Sequence, residues 1–274
     1  MALISPKPWP RRTVYYRDPL HDDFDRSHGK IPVRRIGAGY AYDRGPLWRA
    51  GGDAVYYALA APLLLLVCRV CWGLRVRNRR ALRGMRSGYY LYANHTNALL
   101  DAYAPLLVCF PRRVRIVTAD EAVSIRGLGA FVHLLGAVPL PNTVGGARKY
   151  LAALSRWTAG GEAVTIYPEA HIWPYATLIR PYPDGSFAYP VRDNLPAVPV
   201  TIVYRRRKLL PNLPPLATAV VGAPERPDPS LPPIEARRDL RERVCRQMRE
   251  TAARENRCEY IRYRPEQEET HASK

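Results

Sequence analysis

Between residues 86 and 222 the chain alternates short apolar runs with amphipathic stretches. Arg86 to Ala93, Val114 to Thr118, Ala137 to Leu140, Ala163 to Tyr167, Pro196 to Tyr204 and Leu216 to Gly222 read as strands. Each is short, rich in branched or aromatic residues, and bounded by turn formers. Asn97 to Cys109, Gly127 to Leu135 and Gly145 to Trp157 read as helices. Pro105 is expected to kink or end the first of them, because proline has no N–H and its ring crowds the preceding turn. The second could border an apolar ligand chain. Strands alternating with helices predict an α/β fold: a mostly parallel central sheet flanked by helices on both faces.

The ends of the chain follow other patterns. Residues 1–50 are rich in Tyr, Arg, Asp, Pro and Gly, show no sustained period, and are expected to form an extended arm. No basic region followed by an apolar one stands at Met1, so no cleaved signal peptide is expected. Residues 51–80 hold an apolar segment and a basic flank. Ala54 to Cys68 carries no charge, which is short of the roughly 20 residues a spanning helix needs. With Tyr56, Tyr57 and Trp72 at its margins and Arg75, Arg77, Arg79 and Arg80 following, it reads as a membrane-contact helix. It would lie on or dip into an anionic inner leaflet, at the cytoplasmic face. Residues 81–234 form the core unit. Residues 235–274 form a C-terminal unit, in which Leu240, Val244 and Met248 recur at helical spacing among Arg/Glu pairs, as in an exposed amphipathic helix.

Charge narrows the partners. Lys and Arg number 42 against 24 Asp and Glu, a formal net charge of +18. Such a surface suits anionic lipid and acidic donors. No aromatic-basic strand pattern or reading helix stands out, so nucleic acid is not expected. The five cysteines, Cys68, Cys71, Cys109, Cys245 and Cys258, do not have the spacing of a disulfide framework. The Cys68–Cys71 pair lies in an apolar run without a second pair, which argues against zinc.

Two polar clusters follow strand-like runs, where ligand sites of open α/β sheets lie. The first is Asn94-His95-Thr96-Asn97-Ala98-Leu99-Leu100-Asp101. In one continuous helix His95 and Asp101 would point to different faces. They meet only if His95 sits in the loop before a helix capped by Thr96 or Asn97, with Asp101 in its first turn, where a carboxylate is favoured. An Asp on one imidazole nitrogen fixes the tautomer, and the other nitrogen can then take a proton from a hydroxyl. The second cluster is Tyr167-Pro168-Glu169-Ala170-His171. His171 is either a headgroup ligand or a structural histidine. The aromatic and proline-rich run Trp173 to Tyr189, which includes Arg180, is either a lid or a packed loop. No Gly-x-Ser-x-Gly elbow is present.

Asn94-His95 with Asp101 resembles the first motif of the glycerophospholipid acyltransferase family, which includes 1-acylglycerol-3-phosphate acyltransferases. Tyr167-Pro168-Glu169 resembles its third motif, usually Phe-Pro-Glu-Gly-Thr. Ala197-Val198-Pro199-Val200 resembles its fourth. The resemblance implies transfer of an acyl group from a thioester to a lipid hydroxyl, with His95 as general base and Asp101 orienting it. Asn94, Pro168, Glu169 and His171 would help hold the acceptor headgroup. It implies no cofactor and no metal, with acyl-CoA or acyl carrier protein as co-substrate. Three features depart from the pattern. Five residues separate His95 and Asp101 where four are usual. Ala170-His171 stands where Gly-Thr is expected. Asn142 occupies the place of the second motif's arginine, so Arg148, Lys149 or Arg180 would have to supply that cation. These departures suggest a divergent member.

Overall fold

The computed structural model of the chain describes residues 8–25, 36–43, 45–120, 132, 133 and 135–266. Its centre is a sheet of strands β2 (Arg75–Arg77), β3 (Tyr89–Ala93), β4 (Val114–Thr118), β5 (Ala137–Pro139), β6 (Ala163–Ile166), β7 (Ala197–Arg205) and β8 (Leu216–Val221), ordered β2-β8-β7-β3-β6-β4-β5 among the described residues. Strands β7, β3, β6, β4 and β5 are mutually parallel, with Tyr90 opposite both Val164 and Ala197. Only the β7–β8 hairpin is antiparallel. The loops after β3, β6, β4, β5 and β7 therefore leave one edge of the sheet, as the sequence predicts.

Residue alternation in β3 divides the core. Tyr90 and Tyr92 enter one apolar cluster, and Tyr89, Leu91 and Ala93 enter the other. Helices α4 (Val144–Ala159), α5 (Ala188–Asp193) and α6 (Pro233–Glu255) cover the first face. Helices α2 (Ala61–Cys71) and α3 (Ala98–Cys109) cover the second. Helix α6 buries Leu240, Val244, Cys245 and Met248 in the first cluster, so it is a core layer with one wet side, more buried than the sequence suggests. The apparent exposure came from its Arg/Glu face. The arm also has a partner: β1 (Arg12–Tyr16) pairs in parallel with β9 (Ile261–Pro265). Gly88 opens β3 where only hydrogen fits, because a Cβ there would lie 2.4 Å from the Glu162 carbonyl.

The apolar segment is longer than its uncharged run. Helix α1 (Pro46–Val55), a π-helical turn (Tyr56–Ala60) and α2 run together. The widened turn ends two residues before Pro62, whose ring would crowd the carbonyl of Ala58 in a regular helix. Leu47–Cys71 is long and apolar enough to cross a membrane by length and composition. It packs Tyr56 and Ala61 against Leu106 and Phe110, while Leu59, Leu63, Leu66 and Val70 form an exposed stripe. The helix expected at Gly127 to Leu135 falls mostly outside the described residues.

Candidate active site

The β3 strand delivers the first cluster. Beyond Ala93, Asn94 is buried and its amide pairs with strand β7: Nδ2 donates to the Ile202 carbonyl at 3.1 Å, and Oδ1 accepts the Ile202 N–H at 2.7 Å. It continues the ladder after the strand has turned away. Read from the sequence as a headgroup ligand, Asn94 has its amide committed to backbone and acts as the hinge of the loop.

Asn97 caps α3. Its Oδ1 accepts the Leu100 N–H at 3.0 Å, which puts Asp101 in the first turn and His95 in the loop before it. The His95 Nδ1 then lies 2.9 Å from Asp101 Oδ2. The same oxygen accepts the N–H groups of Thr96 at 2.7 Å and Asn97 at 2.8 Å. Three donors fix one carboxylate oxygen and leave it little freedom. The fifth intervening residue is absorbed by this loop, so the wider spacing still closes the pair. Asp101 is buried, whereas the His95 side chain keeps 18 % of its surface open. Its Nε2 has no hydrogen-bond partner among the described residues.

Pro105 does not end α3, and its effect lies elsewhere. Without an N–H it leaves the carbonyl of Asp101, four residues back, without a helical donor. The Tyr167 hydroxyl donates to that carbonyl, and the Tyr167 ring stacks on His95 with centroids 4.5 Å apart and planes 24° off parallel. Burial first, and the Asp101 charge second, push the Tyr167 phenol well above its ordinary range, so it stays a donor. Tyr204 is held up in the same way and shares a 2.7 Å hydrogen bond with Thr96. The sequence places Tyr167 in the second cluster without indicating this contact, and it indicates neither Tyr204 nor the role of Pro105. A proline four residues after the candidate carboxylate was the signal for the freed carbonyl.

The second cluster holds the first in place. Glu169, buried after β6, accepts the His95 N–H at 3.1 Å on Oε2 and the Arg180 N–H at 3.0 Å on Oε1. Arg180 is fully buried, 3.3 Å from Glu169 Oε2, and also donates to the His171 carbonyl. Burial pushes the Glu169 carboxyl up, opposed by Arg180 and by the backbone donors. Glu169 and Arg180 therefore form an internal clamp and do not face an open headgroup site. His95 O and Thr96 O accept the N–H groups of Trp173 and Tyr175, which tightens the clamp. His171 is half-buried, with Nδ1 3.4 Å from Asp23 Oδ2 on the arm. Pro168 is buried behind Glu169. Ala170 stands where the family pattern has glycine and adopts φ 61°, a left-handed backbone that costs a Cβ residue strain. The segment after it is a packed loop: Trp173, Ala176, Tyr182 and Phe187 are buried.

The second-motif position and the other candidate cations have different surroundings. Asn142 uses its amide to accept the Ile36 N–H and to donate to Asp120. Arg148 and Lys149 are exposed on α4, which follows the edge strand β5. The Gly145-Gly146 pair gives close packing: a Cβ on Gly146 would lie 2.6 Å from the Ile36 carbonyl. No cluster of His, Cys, Asp and Glu able to hold a metal occurs among the described residues. All five cysteines are free thiols. A cavity of about 630 Å³ lies elsewhere, lined by Arg77, Arg79, Arg80 and Arg254 at the opposite edge of the sheet.

The sequence matches the protein family described as Acyltransferase over residues 73–203. Among solved structures the chain is similar to the 1-acyl-sn-glycerophosphate (LPA) acyltransferase PlsC from Thermotoga maritima. Identity is 18 % and the TM-score 0.49, and the match covers 76 % of this chain and 95 % of that one. No curated protein matches.

Proposed function

We propose that this chain is a member of the glycerophospholipid acyltransferase family and moves a fatty acyl group from a thioester donor to a hydroxyl of a lysophospholipid such as 1-acylglycerol-3-phosphate. The donor is acyl-CoA or acyl carrier protein, both acidic and suited to the +18 net charge. The observation that carries the mechanism is the 2.9 Å contact between His95 Nδ1 and Asp101 Oδ2. It puts the proton of a neutral imidazole on Nδ1 and leaves Nε2 as the base. The acceptor hydroxyl attacks the thioester carbonyl as Nε2 removes its proton, and Asp101 stabilises the imidazolium that forms. The collapsing intermediate expels the thiolate, which takes the proton from His95. No covalent acyl-enzyme is needed, since among the described residues no serine or cysteine hydrogen-bonds to the pair.

The exposed stripe Leu59, Leu63, Leu66 and Val70 supports membrane contact, at the cytoplasmic face in this reading. Asn94, Glu169, Pro168 and Arg180 shape and hold the His95 loop, with His171 tied to the arm. Arg148 and Lys149 are the exposed cations left for an acceptor phosphate. Asn142, which stands where the family pattern has an arginine, favours a second reading, acyl transfer to a lipid acceptor other than a lysophosphatidate, such as a glycolipid or aminolipid. The test is acyl transfer by the purified protein in mixed micelles, with labelled acyl-CoA or acyl carrier protein and a panel of acceptors, beside His95→Ala. Labelled product lost in a folded His95→Ala supports the mechanism, and the acceptor used identifies the substrate. Equal transfer by His95→Ala rejects the mechanism. No transfer to any acceptor by the wild type would mark a non-catalytic lipid-surface protein.

A further inference from the structure

The loop between β7 and β8, residues 206–215, carries four features that the acyl-transfer reading does not use. It begins with Arg206-Arg207-Lys208, directly after Arg205 at the end of β7. Leu209, Leu210 and Leu213 then stand 84 %, 61 % and 45 % exposed, three large apolar side chains within five residues. Leu210 is held at φ 55°, a left-handed conformation that a leucine adopts only under strain. A glycine or asparagine would satisfy that backbone without presenting an apolar side chain. The loop is also fastened. Arg205 donates to the Gly73 carbonyl at 2.8 Å, and Arg207 donates to the Cys71 carbonyl at 2.6 Å and to the Pro214 carbonyl at 2.8 Å.

Those bonds join the loop to the end of α2, one residue past Val70, the last member of the exposed apolar stripe. The loop also begins two residues past Tyr204, whose hydroxyl reaches Thr96 beside His95. Exposed leucines, a basic flank and the catalytic edge therefore meet in one place. We propose that the 206–215 loop is a second membrane-contact element, whose leucines enter an anionic bilayer while Arg206 and Lys208 pair with its headgroups. It would set the edge bearing His95 against the surface from which a lipid acceptor is drawn. The inference rests on the reading of this protein as a lipid-surface enzyme, but its test does not require turnover. Arg206 and Lys208 are both exposed, and Arg206 is stacked 4.8 Å from the Trp9 ring. Basic residues this close to anionic lipid add attraction that a neutral membrane lacks.

The experiment is co-sedimentation of the full-length protein with phosphatidylcholine vesicles, with or without about one third phosphatidylglycerol. Leu210→Gly is the most informative variant. It relieves the left-handed strain and removes an inserting side chain, so thermal stability should hold or rise while binding falls. Half the transfer energy of one leucine corresponds to about three- to tenfold weaker binding. A Leu209→Ser/Leu213→Ser variant should lose more. Arg206→Glu with Lys208→Glu should weaken binding to the anionic vesicles and leave the weaker binding to phosphatidylcholine unchanged. Wild-type affinity in the leucine variants, with melting temperature unchanged, would overturn the proposal and leave the apolar helix as the sole contact. It would equally fail if the leucine variants dissociated a dimer in sedimentation velocity without altering vesicle binding. Acyl transfer absent from a wild type that still binds vesicles through the loop would count against the reaction only.

Discussion

Asp101→Asn isolates the charge of the orienting residue from its shape. The asparagine oxygen can still accept the Thr96 and Asn97 N–H groups, so the α3 start should survive, at a cost of about 1 kcal/mol. What is lost is the negative charge beside the imidazole. With Nδ1 and Oδ2 2.9 Å apart, the charge centres of an imidazolium and a carboxylate lie about 4 Å from each other. At an effective dielectric of about 20 that attraction is about 4 kcal/mol. The imidazolium exists only as the proton is removed, so the loss falls on the transition state and reads as about 10³-fold in kcat. An asparagine NH2 turned towards Nδ1 would add to it by moving the ring proton to Nε2, the wrong tautomer for a base. The assay is thiol release from acyl-CoA at saturating acceptor, with KM and Tm recorded for each variant. KM should stay within a few-fold and Tm fall slightly, and the double variant with His95→Ala should be no slower than His95→Ala alone. A folded Asp101→Asn protein within tenfold of wild-type kcat would refute the charge argument.

Three further outcomes follow from the same geometry. Tyr167→Phe keeps the ring stacked on His95 but strips the Asp101 carbonyl of its donor, so chemical denaturation should register a loss of about 1–3 kcal/mol. Ala170→Gly relieves the left-handed backbone and should stabilise the fold by about 0.5–1 kcal/mol; an unchanged or lower Tm would remove the case for strain there. Burial alone would raise Asp193, but hydrogen bonds from Arg192, Tyr90 and Ser155 outweigh it and hold its carboxyl below the ordinary value of 3.8. Its contribution is then full above that value and lost as pH falls through the lower folded value, so Asp193→Asn should narrow the stability gap to wild type as the solution is acidified.

The order of strands β3 to β8 and of helices α3, α4 and α6 was legible in the chain, because short branched runs between turn formers and helices with a wet face leave a periodicity that survives without coordinates. The short β1, β2, β9 and α5 were not. Val114–Thr118 emerged with the bounds the pattern predicts. The His95–Asp101 contact was legible for a related reason. Six residues, one capping side chain and one carboxylate in a first turn are local, and local geometry is set by nearby sequence. Only the tertiary structure could decide which distant residues complete the site. Tyr167 and Glu169 lie 72 and 74 residues from His95 along the chain and meet it because β3 and β6 are neighbours in the sheet, and Arg180, 85 residues away, joins through Glu169. Strand adjacency is a choice among many pairings that residue patterns alone do not distinguish. Burial is likewise a property of packing. It turned Arg180 from a candidate phosphate ligand into a buried counter-ion, and it bound helix α6 into the core while leaving the leucines of the β7–β8 loop in the open.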